Sequence, residues 1–512
     1  MSESIAPFSR AGEGRFALRF NDALALVREY WAALGAIVLA ALAQILEGTS
    51  TDVSWMITLC EKILGGERPY VDFIETNPPG AIYIYWPGVF LAHRLGLTPE
   101  LGVAIAGFIA VAVSLFLCAR IYSRAGIGEF IAPAGAAFAL VVLALLPSRA
   151  FDQREHMAII FALPFFATQI ARASGADVAA GMRVTAGFCL ALTMSIKPYF
   201  ALMVAAALPY VFVRLGYKQF LASIELYAAA GFLLLYVALV AIGFPVYLER
   251  IAPIAAAVYL PVRAPWLTLA FSPGAICWAT LAAVPLVFGR GRLAAPFIAI
   301  PALASLGAIV SFLLQGKGWP YQIYPALALM AFAAAPIVLR VATPPKANGL
   351  AATMSAVALA LSFVLLSHDG ETAPEPIEKI VGALAPHPKI LVIGPSLALG
   401  HPLTRRVSGE WAGTPNCLWI TAMAKYLMRQ GPVDAATRDR YETYMRFERE
   451  TLVSDIRNRT PDAILIADGS WKAWAFADAD IAAALADYAP VGGAGEVEVY
   501  GLIPVLRPSQ QP

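Results

Sequence analysis

Asp52 follows Thr49-Ser50-Thr51 just beyond the first long apolar stretch, at the start of a polar loop over 47–79. The loop closes on Pro69-Tyr70-Val71-Asp72-Phe73-Ile74-Glu75-Thr76-Asn77-Pro78-Pro79, which adds Asp72 and Glu75. A second acidic cluster, Asp152-Gln153-Arg154-Glu155-His156, opens a later apolar run. Carboxylates are costly to keep where a helix leaves a bilayer, so such residues are functional candidates. A carboxylate with apolar medium on one side and water on the other can take a proton from an incoming hydroxyl. The structural alternative for Asp52 is an N-cap on the following run, 53–64. Asp152, Glu155 and His156 share one helical face by their spacing of three and four, with Arg154 pointing elsewhere or lying in the loop before. Asp152 could equally cap the span that begins near His156.

Cations sit near the same boundary. Lys197-Pro198-Tyr199 separates two short apolar runs, and Gln315-Gly316-Lys317-Gly318-Trp319-Pro320-Tyr321 places a lysine between glycines and aromatics. The loop 245–266 contributes Glu249, Arg250, Tyr259 and Arg263. Cations at this depth can pair with a lipid phosphate. Lys197 and Lys317 could instead snorkel to the interface.

The elements that must position these groups are membrane helices. The 512 residues are 59% hydrophobic and 14% charged, well below the charge of soluble domains. Apolar runs of about 16 to 23 residues recur, the length that crosses the hydrocarbon core. A net charge of +2 argues against a nucleic-acid partner. Cys60, Cys118, Cys189, Cys277 and Cys417 follow neither metal nor disulfide spacing. Residues 1–30 are polar and carry Arg10, Arg15, Arg19 and Arg28, so no cleavable signal is expected and the segment reads as cytoplasmic.

Basic residues at the N-terminus, Arg120/Arg124, Arg172/Arg183, Arg214/Lys218, Arg290/Arg292 and Arg340/Lys346 orient the runs by the positive-inside rule. Consistency requires that one of the two runs between Asp52 and Arg120 does not span. The run 80–96 is short, broken by Pro87-Gly88 and rich in Tyr and Trp, so it is expected to lie on the exported face. The expected fold is a polytopic α-helical membrane domain over 31–367 with about eleven transmembrane helices. Asp52, Asp152, Lys317 and the chain beyond 367 are then exported. Residues 370–512 are polar, with apolar strands at 389–394 and 461–467, helices near 418–430, 434–458 and 477–488, and closing strands near 496–505. That alternation predicts a small α/β domain.

The first loop, with its early Asp followed by Gly66-Glu67-Arg68-Pro69-Tyr70-Val71-Asp72-Phe73 and Asn77-Pro78-Pro79, resembles the first exported loop of the GT-C glycosyltransferases. It is most similar to the protein O-mannosyltransferase and lipid A aminoarabinose transferase family. Asp52 and Asp152 match that family's first-loop Asp and next-loop Asp. Glu75-Thr76-Asn77-Pro78-Pro79 resembles its acid-then-proline element near the donor phosphate. The usual Asp-Glu pair is Asp52-Val53 here, and no Trp-Trp-Asp-Tyr-Gly sequence occurs, which speaks against an oligosaccharyltransferase catalytic subunit.

The resemblance implies a GT-C fold at the bacterial inner membrane with a periplasmic active site and C-terminal domain. It implies inverting transfer of a sugar from a polyprenyl-phosphate donor to a hydroxyl of a glycan, lipid or protein acceptor. Asp52 is then the base and Asp152 second-site support, with Glu155, His156, Asp72 and Glu75 assisting. Lys197, Arg250, Arg263 and Lys317 are the phosphate candidates. No glycine loop for a nucleotide is visible, and a divalent cation bridging the carboxylates is left open. A transporter or flippase of a lipid-linked saccharide is the rival, although such proteins usually show repeated halves with charges near the midplane. A non-catalytic assembly or sensor protein acting through 370–512 would leave the two acidic clusters without a task.

Overall fold

The computed structural model describes residues 10–126, 132–289, 291–339, 345–368 and 372–503. Arg290 and Arg340 lie outside the described residues, as do residues 1–9, 504–512 and the side chains of Arg10, Arg15, Arg19 and Lys346. Eight described helices are long and apolar enough to cross a membrane, and the chain is a polytopic membrane protein. They are Arg28–Glu47, Pro99–Arg124, Arg154–Ala173, Pro198–Leu221, Ile224–Gly243, Pro296–Gln315, Pro320–Val338 and Gly349–Leu366. Three shorter apolar helices, Pro133–Leu145, Ala180–Ile196 and Pro273–Phe288, fill the remaining long apolar runs.

The first helix starts earlier than its apolar run, at Arg10, and kinks at Tyr30, where φ is −103° and ψ is 17°. The 80–96 run forms two short helices, Pro79–Tyr83 and Trp86–Leu95. Ten residues rise only about 15 Å, half of a hydrocarbon core.

Helix Arg154–Ala173 is the axis of the membrane part. It is buried along almost its whole length, Arg154, Glu155 and His156 included. Helix Tyr324–Val338 is similarly enclosed. Both are surrounded by other helices, and between its polar ends Arg154–Ala173 is apolar from Met157 to Ala167. Helices such as Ile224–Gly243 keep lipid-facing residues exposed instead.

The C-terminal part carries five strands: β1 (Lys389–Ile393), β2 (Glu410–Trp411), β3 (Ala463–Ile466), β4 (Tyr488–Ala494) and β5 (Val497–Leu502). They pair in the order β2-β1-β3-β5-β4, parallel on the β2-β1-β3 side and antiparallel across β5 and β4. The helix expected near 477–488 is the short Ala479–Ala484, and a further helix, Gly469–Ala477, precedes it. The closing strands, expected near 496–505, are the hairpin β4–β5, which begins earlier, at Tyr488.

Both faces of this sheet are covered, which is why β1 and β3 read as unbroken apolar runs. Leu391, Ile393, Ile464 and Ile466 pack against Leu452, Ile456 and Trp471 of the lobe itself. Ile390, Val392 and Leu465 belong instead to a core shared with Val53, Trp55, Met56 and Phe73 of the first loop. The lobe therefore completes one of its cores with the segment that carries Asp52.

Candidate functional site

Ser50 occupies the N-cap of helix Thr51–Leu64 and Asp52 falls in its first turn. The cap alternative for Asp52 is thereby excluded, and its carboxylate projects from the helix. Arg154, at the start of helix Arg154–Ala173, donates from Nη2 to Asp52 Oδ1. This corrects the expectation that Arg154 points away: it is the centre of the cluster. Its Nη1 lies 3.9 Å from Glu75 Oε1.

Glu75 is gripped by several donors. Trp55 Nε1 donates to it at 2.7 Å, Asn77 N at 2.8 Å and Thr76 Oγ1 at 3.2 Å, and Asn77 Nδ2 also reaches Oε1. Glu155 accepts from Lys197 Nζ at 2.6 Å. Three segments far apart in sequence, the first loop, Arg154-Glu155 and Lys197, thus meet at one place. Its carboxylates differ in access: the Asp52 side chain is 21% exposed, against 2% for Glu75 and 0% for Glu155.

The network is not saturated. Arg154 Nε, Glu155 Oε2, Tyr321 Oη and Gln322 Oε1 are buried without hydrogen-bond partners. A cavity of about 320 Å³ adjoins it, lined by Asn77, Lys197, Tyr259, Gln315, Lys317 and Gln322 among others. Lys317 Nζ donates to the carbonyls of Tyr259 and Val262, each at 2.5 Å, and lies 4.0 Å from the centre of the Tyr259 ring. Burial, then neighbouring Arg263, pushes the Lys317 ammonium down to about 8. Gly316 stands at φ +69°, and a side chain there would strike Arg263, so the turn that presents Lys317 requires glycine.

Other expected residues are placed elsewhere. Asp152 does not share a helical face with Glu155 and His156, because it precedes the helix at φ +61°. Its carbonyl accepts from Tyr85 Oη at 2.6 Å and its N–H donates to His156 Nδ1 at 3.0 Å. The side chain rests on Gly107, where an added Cβ would come within 2.0 Å of Oδ1. Burial pushes the Asp152 carboxyl well above its usual range. Its backbone ties the turn before Arg154 to Tyr85 and His156, while its side-chain Oδ1 is buried without a hydrogen-bond partner. His156 spends its other nitrogen on Leu143 O at 2.6 Å, so its ring is fully committed.

Asp72 is bonded by Arg68, whose guanidinium holds it below the usual carboxylate range, and its carbonyl accepts from Arg459 of the lobe at 2.9 Å. It docks the loop. Arg250 stacks on Phe447, 5.4 Å from the ring centre, in a separate cleft with Glu249 and Glu450. Arg263 donates to Leu313 O at 2.7 Å. Neither arginine lines the Lys197–Lys317 cavity.

No family model matches the chain, and no curated protein matches it. Solved structures similar to it include the arabinofuranosyltransferase AftD from Mycobacteria, at 14% identity and a TM-score of 0.46 over 92% of this chain. The archaeal oligosaccharyltransferase AglB from Archaeoglobus fulgidus, in complex with an inhibitory peptide and a dolichol-phosphate, gives 12% and 0.42 over 91% of this chain and 73% of that one. A further Archaeoglobus fulgidus oligosaccharyltransferase, with Zn and sulfate, gives 12% and 0.43 over 94% of this chain and 74% of that one. The chain spans 39% of the length of AftD. At these scores the functional case rests on this chain's own residues.

Those residues do not fit a bridging metal. Among the described residues no group of three or more His, Cys, Asp or Glu side chains is placed to hold an ion. Asp52, Glu75 and Glu155 each face a cation or amide donor of the protein. Trp55 escaped the sequence reading although it lies three residues from Asp52 on one helix, a spacing that marks neighbours. Nothing local marks Arg154 as its partner.

Proposed function

We propose that the Asp52 centre is the active site of a membrane glycosyltransferase using a polyprenyl-phosphate-linked sugar. The observation that carries this reading is one accessible carboxylate, Asp52, whose partner Arg154 adjoins the Glu155–Lys197 pair at a cavity walled by Lys197 and Lys317. Arg154 grips Oδ1, which leaves Oδ2 for an acceptor hydroxyl. As the acceptor oxygen attacks the anomeric carbon, its proton passes to Asp52. The bond from that carbon to the phosphate oxygen breaks, and the phosphate leaves with the electron pair. Lys197 and Lys317 offset the charge that develops there. A single displacement of this kind inverts the anomeric centre.

The basic-loop pattern supports an exported active site, with residues 370–512 on the same, periplasmic side of a bacterial inner membrane. The eight long helices and three shorter apolar ones together support eleven spans. Acceptors in reach of Asp52 are hydroxyls of a glycan, lipid or protein.

Polyprenyl-phosphate affinity of the purified full chain tests the cation wall. Lys317→Ala should weaken polyprenyl-phosphate binding and slow transfer, with neutral polyprenol bound equally by both proteins. Equal loss of both ligands would reduce Lys317 to a staple of the 259–262 turn.

A further inference from the structure

The C-terminal lobe meets the helix that carries Asp52, Thr51–Leu64, at a histidine that hydrogen bonding does not explain. His401 is fully buried, and neither of its ring nitrogens has a hydrogen-bond partner. Burial, then the charges of Arg405 and Lys62, push its imidazole down to about 3, so the ring is neutral near pH 7. A buried ring that spends neither nitrogen contributes its flat shape. That shape is wedged between two tryptophans. Its centre lies 5.1 Å from the Trp55 ring and 4.8 Å from the Trp411 ring, and the two indoles meet edge-on at 6.3 Å. Trp411 is itself fixed: its Nε1 donates to Pro415 O at 3.2 Å, and a side chain on Gly400 would strike its ring.

Trp55 in turn donates to Glu75 Oε2 at 2.7 Å. The other oxygen of Glu75 stands 3.9 Å from Arg154, which grips Asp52. Glu75 is buried and cannot turn to water for a replacement donor, so a displaced indole draws the carboxylate after it, and Arg154 with it. The lobe reinforces this line at two further points. Arg405, in the short helix that follows His401, donates to Glu61 of the Asp52 helix at 2.5 Å and also to Glu100. Thr414 O accepts from the N–H of Ile74, the residue before Glu75, at 2.9 Å. Asp455 holds Thr414 through its N–H and its hydroxyl, each at 2.7 Å.

We infer that His401 is a positioning residue of the Asp52 centre. Backed by Trp411, it sets the angle at which Trp55 presents its N–H to Glu75, and through Glu75 and Arg154 the aim of Asp52. The inference rests on the glycosyl-transfer reading of that centre and makes the lobe a working part of it. His401, Trp411 and Trp55 line no part of the Lys197–Lys317 cavity. The lobe therefore governs the chemical step, which needs the base held in place, and not the hold on the phosphate.

Two readouts test it, with the full-length protein in phosphatidylcholine nanodiscs. One is solvent exchange of the Trp55 indole proton, followed with isotope-labelled tryptophan and assigned by its loss in Trp55→Phe. The other is transfer from whichever polyprenyl-phosphate-linked hexose or pentose the wild type turns over. His401→Ala should speed the exchange and slow turnover per folded molecule about ten- to a hundredfold, the scale of a small misplacement, with polyprenyl-phosphate affinity kept. His401→Leu serves in its place should His401→Ala fold poorly. His401→Phe, a flat ring without nitrogens, should recover most of the turnover. In a Trp55→Phe background His401→Ala should add no further loss, because both break the same line to Glu75. Unchanged exchange, losses that multiply, or a lower melting temperature with turnover kept would each overturn the inference. So would a parallel fall in polyprenyl-phosphate affinity, or turnover no better in His401→Phe than in His401→Ala. Failure of the glycosyl-transfer reading looks different: wild type transfers from no such donor while exchange still quickens in His401→Ala, and the positioning role falls with it.

Discussion

Helix Arg154–Ala173 carries a buried charge cluster at each end, and the two are built on opposite principles. At the far end Glu225, fully buried, accepts from Arg172, from Arg183 Nε at 2.7 Å and from Gln169 Nε2 at 3.1 Å. The same guanidiniums also donate to Ser223 Oγ and the carbonyls of Gln219 and Ala222, at 2.7, 2.9 and 2.7 Å. That cluster ties four helices together and borders none of the cavities described above. At the near end, about 30 Å away along the axis, Arg154 and Glu155 leave buried atoms unpartnered beside an open cavity. Helix Ala180–Ile196 links both clusters, since Arg183 lies in it and Lys197 directly follows it. A cluster away from these cavities fastens helices even with one buried acceptor, Gln169 Oε1, unpartnered, whereas one beside a cavity has unpartnered atoms to offer a ligand.

The sharpest break of that comparison is Asp52→Asn. It should cost about 10² to 10⁴ in turnover per folded molecule, the size of a lost general base; Ser50 keeps the cap and Glu75 stays beside Arg154, so the fold survives with some loss of stability. Near-normal transfer by this variant would remove Asp52 from the chemistry. Glu225→Gln should do the reverse. It strands two buried guanidiniums, which costs about 3–5 kcal/mol, so thermal stability in detergent should drop with turnover per folded molecule preserved. A catalytic defect without a stability loss would erase the distinction between the two ends.

Asp152 separates backbone from side-chain roles. Asp152→Asn and Asp152→Gly should keep activity, since both residues adopt positive φ, whereas Asp152→Ala should lose about 1–2 kcal/mol of stability. A rate loss in Asp152→Asn as large as that of Asp52→Asn would restore it as a catalytic acid. The smallest effect is one of pH. The Lys317 ammonium loses its proton as pH rises through about 8, so polyprenyl-phosphate affinity of wild type should decline across that window. Lys317→Arg should flatten the decline, since guanidinium stays charged. An unchanged profile in Lys317→Arg would assign the titration to another group.

The membrane class was legible because apolar run length is a local property, and so was the break at 80–96, where Pro87-Gly88 interrupts the run. β1 and β3 were legible for the same reason, whereas β2, only two residues long, and the early start of β4 at Tyr488 depend on pairing partners.

The chain alone determined which residue types stand at helix ends: Asp52, Glu75, Glu155, Lys197 and Lys317 were all nameable from position and cost. Only tertiary structure decided which of them meet. Arg154 pairs with a residue 102 positions earlier, and Arg405 reaches Glu61 across 344. Such pairings are set by how buried helices and the lobe's second core close on one another. Arg250 and Arg263 were drawn in by proximity in sequence, but the backbone between 245 and 266 turns them to other partners. A carboxylate's identity is written locally, whereas its access to water and its counter-ion belong to the packing around it.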